Sequence, residues 1–337
     1  MLVLGVESSC DECSVAVVED GRRVLGQVIA TQLDEHAPYQ GVVPEIASRT
    51  HTRWIVGVYR EALRKAGIVP KELEAVAVTT RPGLVGSLVV GLSFAKGLSY
   101  GLGIPLVSVD HMLAHLYAPQ LERSIEYPFL GLMVSGGHTI IARAEDPFTI
   151  EVLGTTIDDA CGEAFDKVAK HYDLGYPGGV AIDRLAQAGN DRAFRFPDAA
   201  LLKGEHRYDV SYSGLKTAVI NQLDQFWDGK SPKTKENIAA SFQRAAVEML
   251  LKRLFRAIED TGLTRVVVGG GVAANSYLRS QLARRDDLEV TFPPLEHCTD
   301  NGAMIAGLGY HLIRRGDRGG LDLDVSARVA GLRKTYP

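Results

Sequence analysis

The chain has 337 residues, 46% of them hydrophobic and 23% charged, with a formal net charge of −4. That length suits about two domains, and that charge excludes a global basic field, so any nucleic acid must be met by local patches or through partner proteins. No stretch offers about 18 uncharged apolar residues in a row, and Met1-Leu2-Val3-Leu4-Gly5 runs straight into a strand pattern without a basic n-region; the expected compartment is the cytoplasm.

The apolar run Leu2 to Glu7 predicts a strand, Ser8 to Glu12 a polar turn, and Cys13 to Glu19 a second strand closed by the hairpin signal Asp20-Gly21. Val24 to Thr31 predicts a third strand. Pro44 to Ala66 predicts a long helix stopped by Gly67, with Ile46, Trp54, Val58 and Leu63 on or near one face, a face that suits either the core or a partner. A strand (Leu73 to Thr79), a glycine-bearing loop, a helix (Leu88 to Tyr100) and a strand (Ile104 to Val109) follow. The order then begins again: strands Phe129 to Val134, His138 to Ala144 and Phe148 to Thr155, an insertion of about 156–235, a helix Glu236 to Glu259, a strand Arg265 to Val268, a helix Ser276 to Arg284, a strand Leu288 to Phe292 and a last helix Asn301 to Arg314. The pattern β-β-β-α-β-α-β therefore occurs twice. It predicts an α/β protein of two similar lobes, 1–127 and 128–310, with 311–337 as an extension and with the interlobe cleft as the ligand site.

Asp110-His111-Met112-Leu113-Ala114-His115 opens a helix directly after a strand. Residues four apart share a helix face, so the two imidazoles point one way, which suits either a metal site or two satisfied polar side chains. Under the repeat, Asp300 stands where His111 stands, after the last strand of its own lobe, which makes it a third ligand from the opposite lobe. Two imidazoles and one carboxylate leave positions open, a catalytic rather than a structural donor set. A zinc protease of this spacing needs Glu directly after the first His; Met112 stands there. Cys10 and Cys13 form a C-x-x-C, but Asp11 and Glu12 beside them raise thiol pKa values, the reverse of a redox motif.

Two strand-joining turns, Ser8-Ser9 and Ser135-Gly136-Gly137, have small residues at the tip and can let a phosphate approach backbone N–H groups. Gly269-Gly270-Gly271-Val272-Ala273-Ala274-Asn275 is strand, glycine loop and helix start, suited to a nucleotide. There is no P-loop motif and no G-x-G-x-x-G after the first strand. The carboxylates Asp158, Asp159, Glu163 and Asp166, with Asp183 beyond Tyr176-Pro177-Gly178-Gly179, form either a solvated helix or a lining for a ribose.

Glu7-Ser8-Ser9-Cys10-Asp11-Glu12, His111-x-x-x-His115, Val134-Ser135-Gly136-Gly137-His138-Thr139, Gly162-Glu163-Ala164-Phe165-Asp166-Lys167, Tyr176-Pro177-Gly178-Gly179, the Gly269 to Asn275 loop and Cys298-Thr299-Asp300-Asn301-Gly302-Ala303 together resemble the motif set of the TsaD (Gcp) family, in order, from about residue 1 to 310. The resemblance implies the actin/Hsp70/sugar-kinase (ASKHA) fold and transfer of a threonylcarbamoyl group from threonylcarbamoyl-AMP to N6 of the adenosine 3′ of the anticodon, position 37, in tRNAs reading codons that begin with A. It implies one iron or zinc ion on His111, His115 and Asp300, and an adenylate site from Met133, Val134, Ser135, Gly136, Gly137, Asp166, Gly179, Asp183 and Asn275. Met133 and Gly137-His138 resemble the bacterial branch, and Met133 excludes a tyrosine ligand from that position. The implied partners are tRNA, a TsaB-like paralogue that pairs with the first lobe, and a TsaE-like ATPase. Asp11 and Glu12 are the candidate proton acceptors from the attacking amine. For tRNA, the candidate basic contacts are Arg279, Arg284, Arg285, Arg314, Arg315, Arg318, Arg328, Arg333 and Lys334, each equally readable as solvated surface. A small-molecule kinase of the same fold and a non-catalytic nucleotide-binding scaffold are the rival classes.

Overall fold

The computed structural model describes residues 1–197 and 204–328. In chain order the described elements are β1 (Leu2–Glu7), β2 (Glu12–Glu19), β3 (Arg23–Thr31), α1 (Leu33–His36), α2 (Pro44–Ala66), β4 (Ala75–Arg81), α3 (Val85–Leu102), β5 (Leu106–Asp110), α4 (His111–Tyr117), β6 (Phe129–Val134), β7 (Thr139–Ala144), β8 (Ile150–Thr155), α5 (Cys161–His171), α6 (Gly178–Ala186), α7 (Ser213–Asn221), α8 (Lys235–Thr261), β9 (Arg265–Gly269), α9 (Ser276–Ala283), β10 (Glu289–Thr291) and α10 (Gly302–Arg315), with short 3-10 turns between. They form two compact units: Met1–Glu126 with the described residues from Pro293 onward, and Tyr127–Phe292.

Each unit holds a five-stranded mixed sheet, ordered β3-β2-β1-β4-β5 in the first and β10-β9-β6-β7-β8 in the second. Read from the third strand of each repeat, the two orders are the same, so the duplication in the sequence is a duplication of topology. Asp20 and Gly21 both take positive φ, at 51° and 77°, the backbone that a tight hairpin between right-twisted strands needs. Helix α2 stops at Gly67 (φ 69°), where a residue without Cβ enters the left-handed region at little cost.

In the first unit the alternation of strand side chains sorts sizes between two faces. Leu4, Val6, Cys13, Val15, Val17, Val76 and Val78 point into a core with Ile55, Val58, Leu63, Leu92 and Ala95 of α2 and α3; full burial of each large member stabilises the unit by about 1.5–3 kcal/mol. The opposite face carries Gly5, Ser14, Ala16 and Ala77, and α10 lies on it. A Cβ on Gly5 would sit 2.0 Å from the Gly302 carbonyl oxygen, and one on Gly309 2.3 Å from the Ala77 Cβ. The small residues thus let a helix rest directly on the sheet.

That seat corrects one expectation. The repeat assigns the last helix, and with it Asp300, to the second unit. The structure packs α10 on the first sheet, where Gly302 N–H donates to Ser14 Oγ (2.9 Å) and Ala303 N–H to Gln27 Oε1 (3.1 Å). The chain leaves the second unit after β10, and its last helix seats on the glycine and alanine face of the first sheet. Helix α3 is 18 residues long with mean hydropathy 1.3, enough by length and composition to cross a membrane. Here Leu88, Leu92 and Ala95 are buried, and Lys96 Nζ donates to the Leu323 carbonyl.

Candidate functional site

Helix α4 starts where Asp110 caps it: the carboxylate accepts from Met112 N–H (2.9 Å) and Leu113 N–H (3.4 Å), satisfying first-turn donors. This fixes the helix phase, and His111 and His115 fall on one face with their rings edge to face, centroids 4.5 Å apart. Asp300 is set by the start of α10. Asn301 caps that helix at Met304 N–H, and its amide donates to the Thr299 and His297 carbonyls. The backbone around Asp300 is thereby held on both sides.

These three side chains converge. His115 Nε2 lies 3.1 Å from His111 Nε2 and 3.0 Å from Asp300 Oδ1, and His111 Nε2 lies 3.4 Å from the same oxygen. Ligand atoms about 2.1 Å from one ion stand about 3.0–3.4 Å apart, so the triangle fits a single divalent cation, and the donor types suit iron or zinc better than magnesium. His111 Nδ1 faces Glu7 Oε2 (3.0 Å) and Ser9 Oγ (3.2 Å). Glu7 also accepts from Thr79 Oγ1 and from Ser9 N–H. A carboxylate on the far nitrogen turns the imidazole lone pair toward the metal position and raises its basicity. Burial opposes charge on both partners. Even so, Asp300 and Glu7 push the His111 imidazolium well above the usual histidine range, and His111 holds Glu7 below the usual carboxylate range.

Sequence reasoning missed Glu7 as a functional residue; its signal was a carboxylate ending an otherwise apolar strand that becomes fully buried. Ser8 and Ser9 are corrected. They are not an open phosphate turn but are buried, with Ser8 Oγ donating to the Ser87 carbonyl and the Ser9 carbonyl accepting from Leu84 N–H. Asp11 and Glu12, partly exposed, sit in the same unit as the histidines. Burial, then Asp300 and Asp11, push the Glu12 carboxyl well above the usual range. None of the four cysteines forms a disulfide among the described residues. Burial pushes Cys13 and Cys161 to about 12, and burial with Asp11 pushes Cys10 up as well.

The second unit gathers the other candidates. Met133 and Val134 are buried in β6, so their side chains are closed to a ligand and what they can offer is backbone. The turn beyond them is open. A Cβ on Gly136 or Gly137 would meet nothing within 4 Å, whereas one on Gly162 would meet Gly136 Cα at 2.8 Å, and one on Gly270 (φ 90°) the Val134 oxygen at 2.3 Å. Glycines at 162 and 270 let α5 and the β9 loop close onto the turn. Asp166 accepts from Gly178 N–H at the start of α6 (2.8 Å), next to Gly179. Asp183 accepts from Ser276 Oγ (2.7 Å), Ser276 N–H and Asn275 Nδ2 (3.3 Å), and Asn275 caps α9. A chain of contacts thus joins Ser135–Gly137, α5, α6 and α9 around one surface of the unit. Within the acidic cluster, the exposed Asp158 accepts from Ser211 Oγ and Tyr212 N–H, and Asp159 is paired with Lys167 and Lys216; those two carboxylates bind the insertion to itself.

Of the basic residues, Arg285 is paired with Asp287, Arg315 with Asp317, Arg279 donates to the Ala273 carbonyl and lies over Phe292, and Arg318 donates to the Ile313 carbonyl. Arg333 and Lys334 lie outside the described residues. Val58 is buried and Trp54 packs on the same core, so those two are core residues; Ile46 lines a shallow pocket with Arg49, Thr50, Thr52 and Arg53.

A family model for tRNA N6-adenosine threonylcarbamoyltransferase (TsaD) matches residues 23–307. Proteins of that name from Treponema denticola and Borrelia hermsii are 59% and 52% identical to the chain, over 99% of this chain and 99% and 98% of theirs. Among solved structures, a full-length HypF in phosphate- and nucleotide-bound form superposes with TM-score 0.61 at 15% identity, covering 93% of this chain and 46% of its own. Component A of the (R)-2-hydroxyglutaryl-CoA dehydratase of Acidaminococcus fermentans does so with TM-score 0.55 at 15% identity, covering 92% and 98%. At those identities the shared property is the actin-like, duplicated α/β fold.

Proposed function

The chain belongs to the tRNA N6-adenosine threonylcarbamoyltransferase family, enzymes of t6A synthesis, and from that premise we propose which of its residues perform the transfer and with what donor, metal and partners. The donor is threonylcarbamoyl-AMP, a mixed carbamic–phosphoric anhydride, and the acceptor is N6 of adenosine 37 in tRNAs that read codons beginning with A. The observation that carries the reading is the triangle of His111, His115 and Asp300, backed by Glu7.

Those three residues hold one iron or zinc ion. Bound there, the ion supplies Lewis acidity and a template for the reacting groups. Glu7 and Ser9 fix the His111 ring. In the second unit the exposed Ser135-Gly136-Gly137 turn presents backbone donors to the adenylate's phosphate, with Met133 and Val134 contributing main chain only. Asp166, Gly179, Asp183 and Asn275 hold its nucleoside. The N6 amine attacks the carbamoyl carbon, the carbon–oxygen bond to the phosphate breaks, AMP leaves, and the amine's proton passes to the Asp11-Glu12 turn. Glu12, its carboxyl raised by burial and neighbouring carboxylates, is a stronger base than an ordinary carboxylate.

A TsaB-like paralogue docks on the first unit. The exposed Val56, Val85 and Val89 and the open positions at Gly57, Gly97 and Gly101 on α2 and α3 support a helical partner there. A TsaE-like ATPase completes the set, and the tRNA substrate makes the cytoplasm the working compartment. Reconstitution with threonylcarbamoyl-AMP, partners and tRNA, followed by mass spectrometry of the nucleosides, tests the reading: threonylcarbamoyladenosine is expected, and its absence overturns the proposal. Metal analysis that finds magnesium alone would favour a kinase of the same fold instead.

A further inference from the structure

Two histidines and a glutamine are fully buried in the first unit without being part of the metal cluster: Gln32, His36 and His51, each 0% exposed. Their hydrogen bonds converge on the turn that carries Asp11. His51 Nε2–H, from the second turn of α2, donates to the Cys10 carbonyl (2.9 Å). Gln32 N–H, at the end of β3, donates to the Asp11 carbonyl (3.1 Å). The peptides before and after Asp11 are therefore each held by a buried donor. The donors are braced in turn. Gln32 Nε2 donates to the Ala47 carbonyl (3.4 Å), one helical turn before His51. His36 Nε2–H donates to Gln32 Oε1 (3.2 Å), and His36 Nδ1 accepts from Val43 N–H (3.3 Å). Every acceptor is an oxygen or an unprotonated nitrogen, so the contacts assign one tautomer to each ring. Burial keeps the His51 imidazole below the usual histidine range, hence neutral, with its proton on the nitrogen that faces Cys10.

We propose that His51, braced by Gln32 and His36, is a positioning residue: its hydrogen bond to the Cys10 carbonyl fixes the Asp11-Glu12 turn in the orientation the proton transfer requires. This rests on the reading of that turn as the proton acceptor. The group does not touch substrate; it sets the backbone from which Asp11 and Glu12 project. Misplacing a reacting group by about 1 Å costs about 100-fold in rate, so loss of this clamp falls on turnover rather than on substrate binding.

The test compares three substitutions at one site, in the protein with its native partners and metal. His51→Gln places an amide donor near the Nε2 position, His51→Asn places it near Nδ1, and His51→Ala removes it. The expected result is a kcat about 10- to 100-fold lower for His51→Ala and His51→Asn, with KM for tRNA and adenylate and the bound metal within about twofold of the parent, and recovery to within about threefold in His51→Gln. Equal impairment of the Gln and Asn variants, or an unchanged kcat in His51→Ala, overturns the inference, since packing alone does not distinguish the two amides in this way. Asp11→Asn with Glu12→Gln, measured in parallel, separates the premise: full activity there sinks the acceptor role and the positioning role with it, whereas collapse there with a normal His51→Ala sinks the positioning role alone.

Discussion

The turn between β1 and β2 and the turn between β6 and β7 occupy the same place in the repeated topology, yet the first is packed shut and the second is open at its glycine tip. Ser8 and Ser9 are buried, tied to Ser87, Leu84 and His111. Gly136 and Gly137 have open space where a Cβ would stand. The ends of the two sheets differ in the same sense. Strand β5 runs into a helix that carries two histidines, while β10 runs into a chain that leaves for the other unit. The two copies of the scaffold differ in kind: one gathers histidine and carboxylate side chains against buried partners, and the other exposes backbone between glycines.

The largest expected effect breaks the first copy. Asp300→Ala should abolish stoichiometric iron or zinc, read by elemental analysis, and with it at least about 100-fold of transfer, while adenylate binding by the second unit persists. Retained metal would remove Asp300 from the ligand set. Glu7→Gln should be the next largest. It leaves the three ligands in place and lowers metal affinity by about 10- to 100-fold, measured by competition with a chelator.

The next contrast lies in the second copy. Gly270→Ala puts a Cβ 2.3 Å from the Val134 oxygen at a φ of 90°, and should cost about 1–3 kcal/mol in thermal unfolding. Gly137→Ala meets nothing and should stay within about 0.5 kcal/mol of the parent, but weaken adenylate binding, seen by calorimetry. A stable Gly270→Ala or an unstable Gly137→Ala would show that the turn is not built as described. The smallest effect is an absence. With the Cys13 and Cys161 thiols held near 12, iodoacetamide at pH 8 should leave both unmodified in the folded protein and label them only after unfolding, because the reactive thiolate is scarce at that pH.

Much of this was legible beforehand because it is local. Helix α2 ends where Gly67 says it must, β6 spans the apolar run Phe129–Val134, and His111 and His115 share a face because 3.6 residues make a turn. The three residues of the candidate metal site were singled out from that spacing, the repeat and the motif that carries Asp300. The direction from which Asp300 arrives was not legible. Under the repeat it came from the second unit, and the structure holds it just before α10 in the first.

The two-fold repetition and the element types were carried by the sequence alone, since each depends on residues near one another in the chain. Only tertiary structure decided that α10 lies on the first sheet, that Glu7 stands behind His111, and that Ser8 and Ser9 are closed while Gly136 and Gly137 are open. Those outcomes depend on distances of a few ångströms between residues as much as 300 positions apart, such as Gly5 and Gly302. Close packing allows such an approach only where both sides lack a Cβ, and neither side of the pair reveals its partner alone.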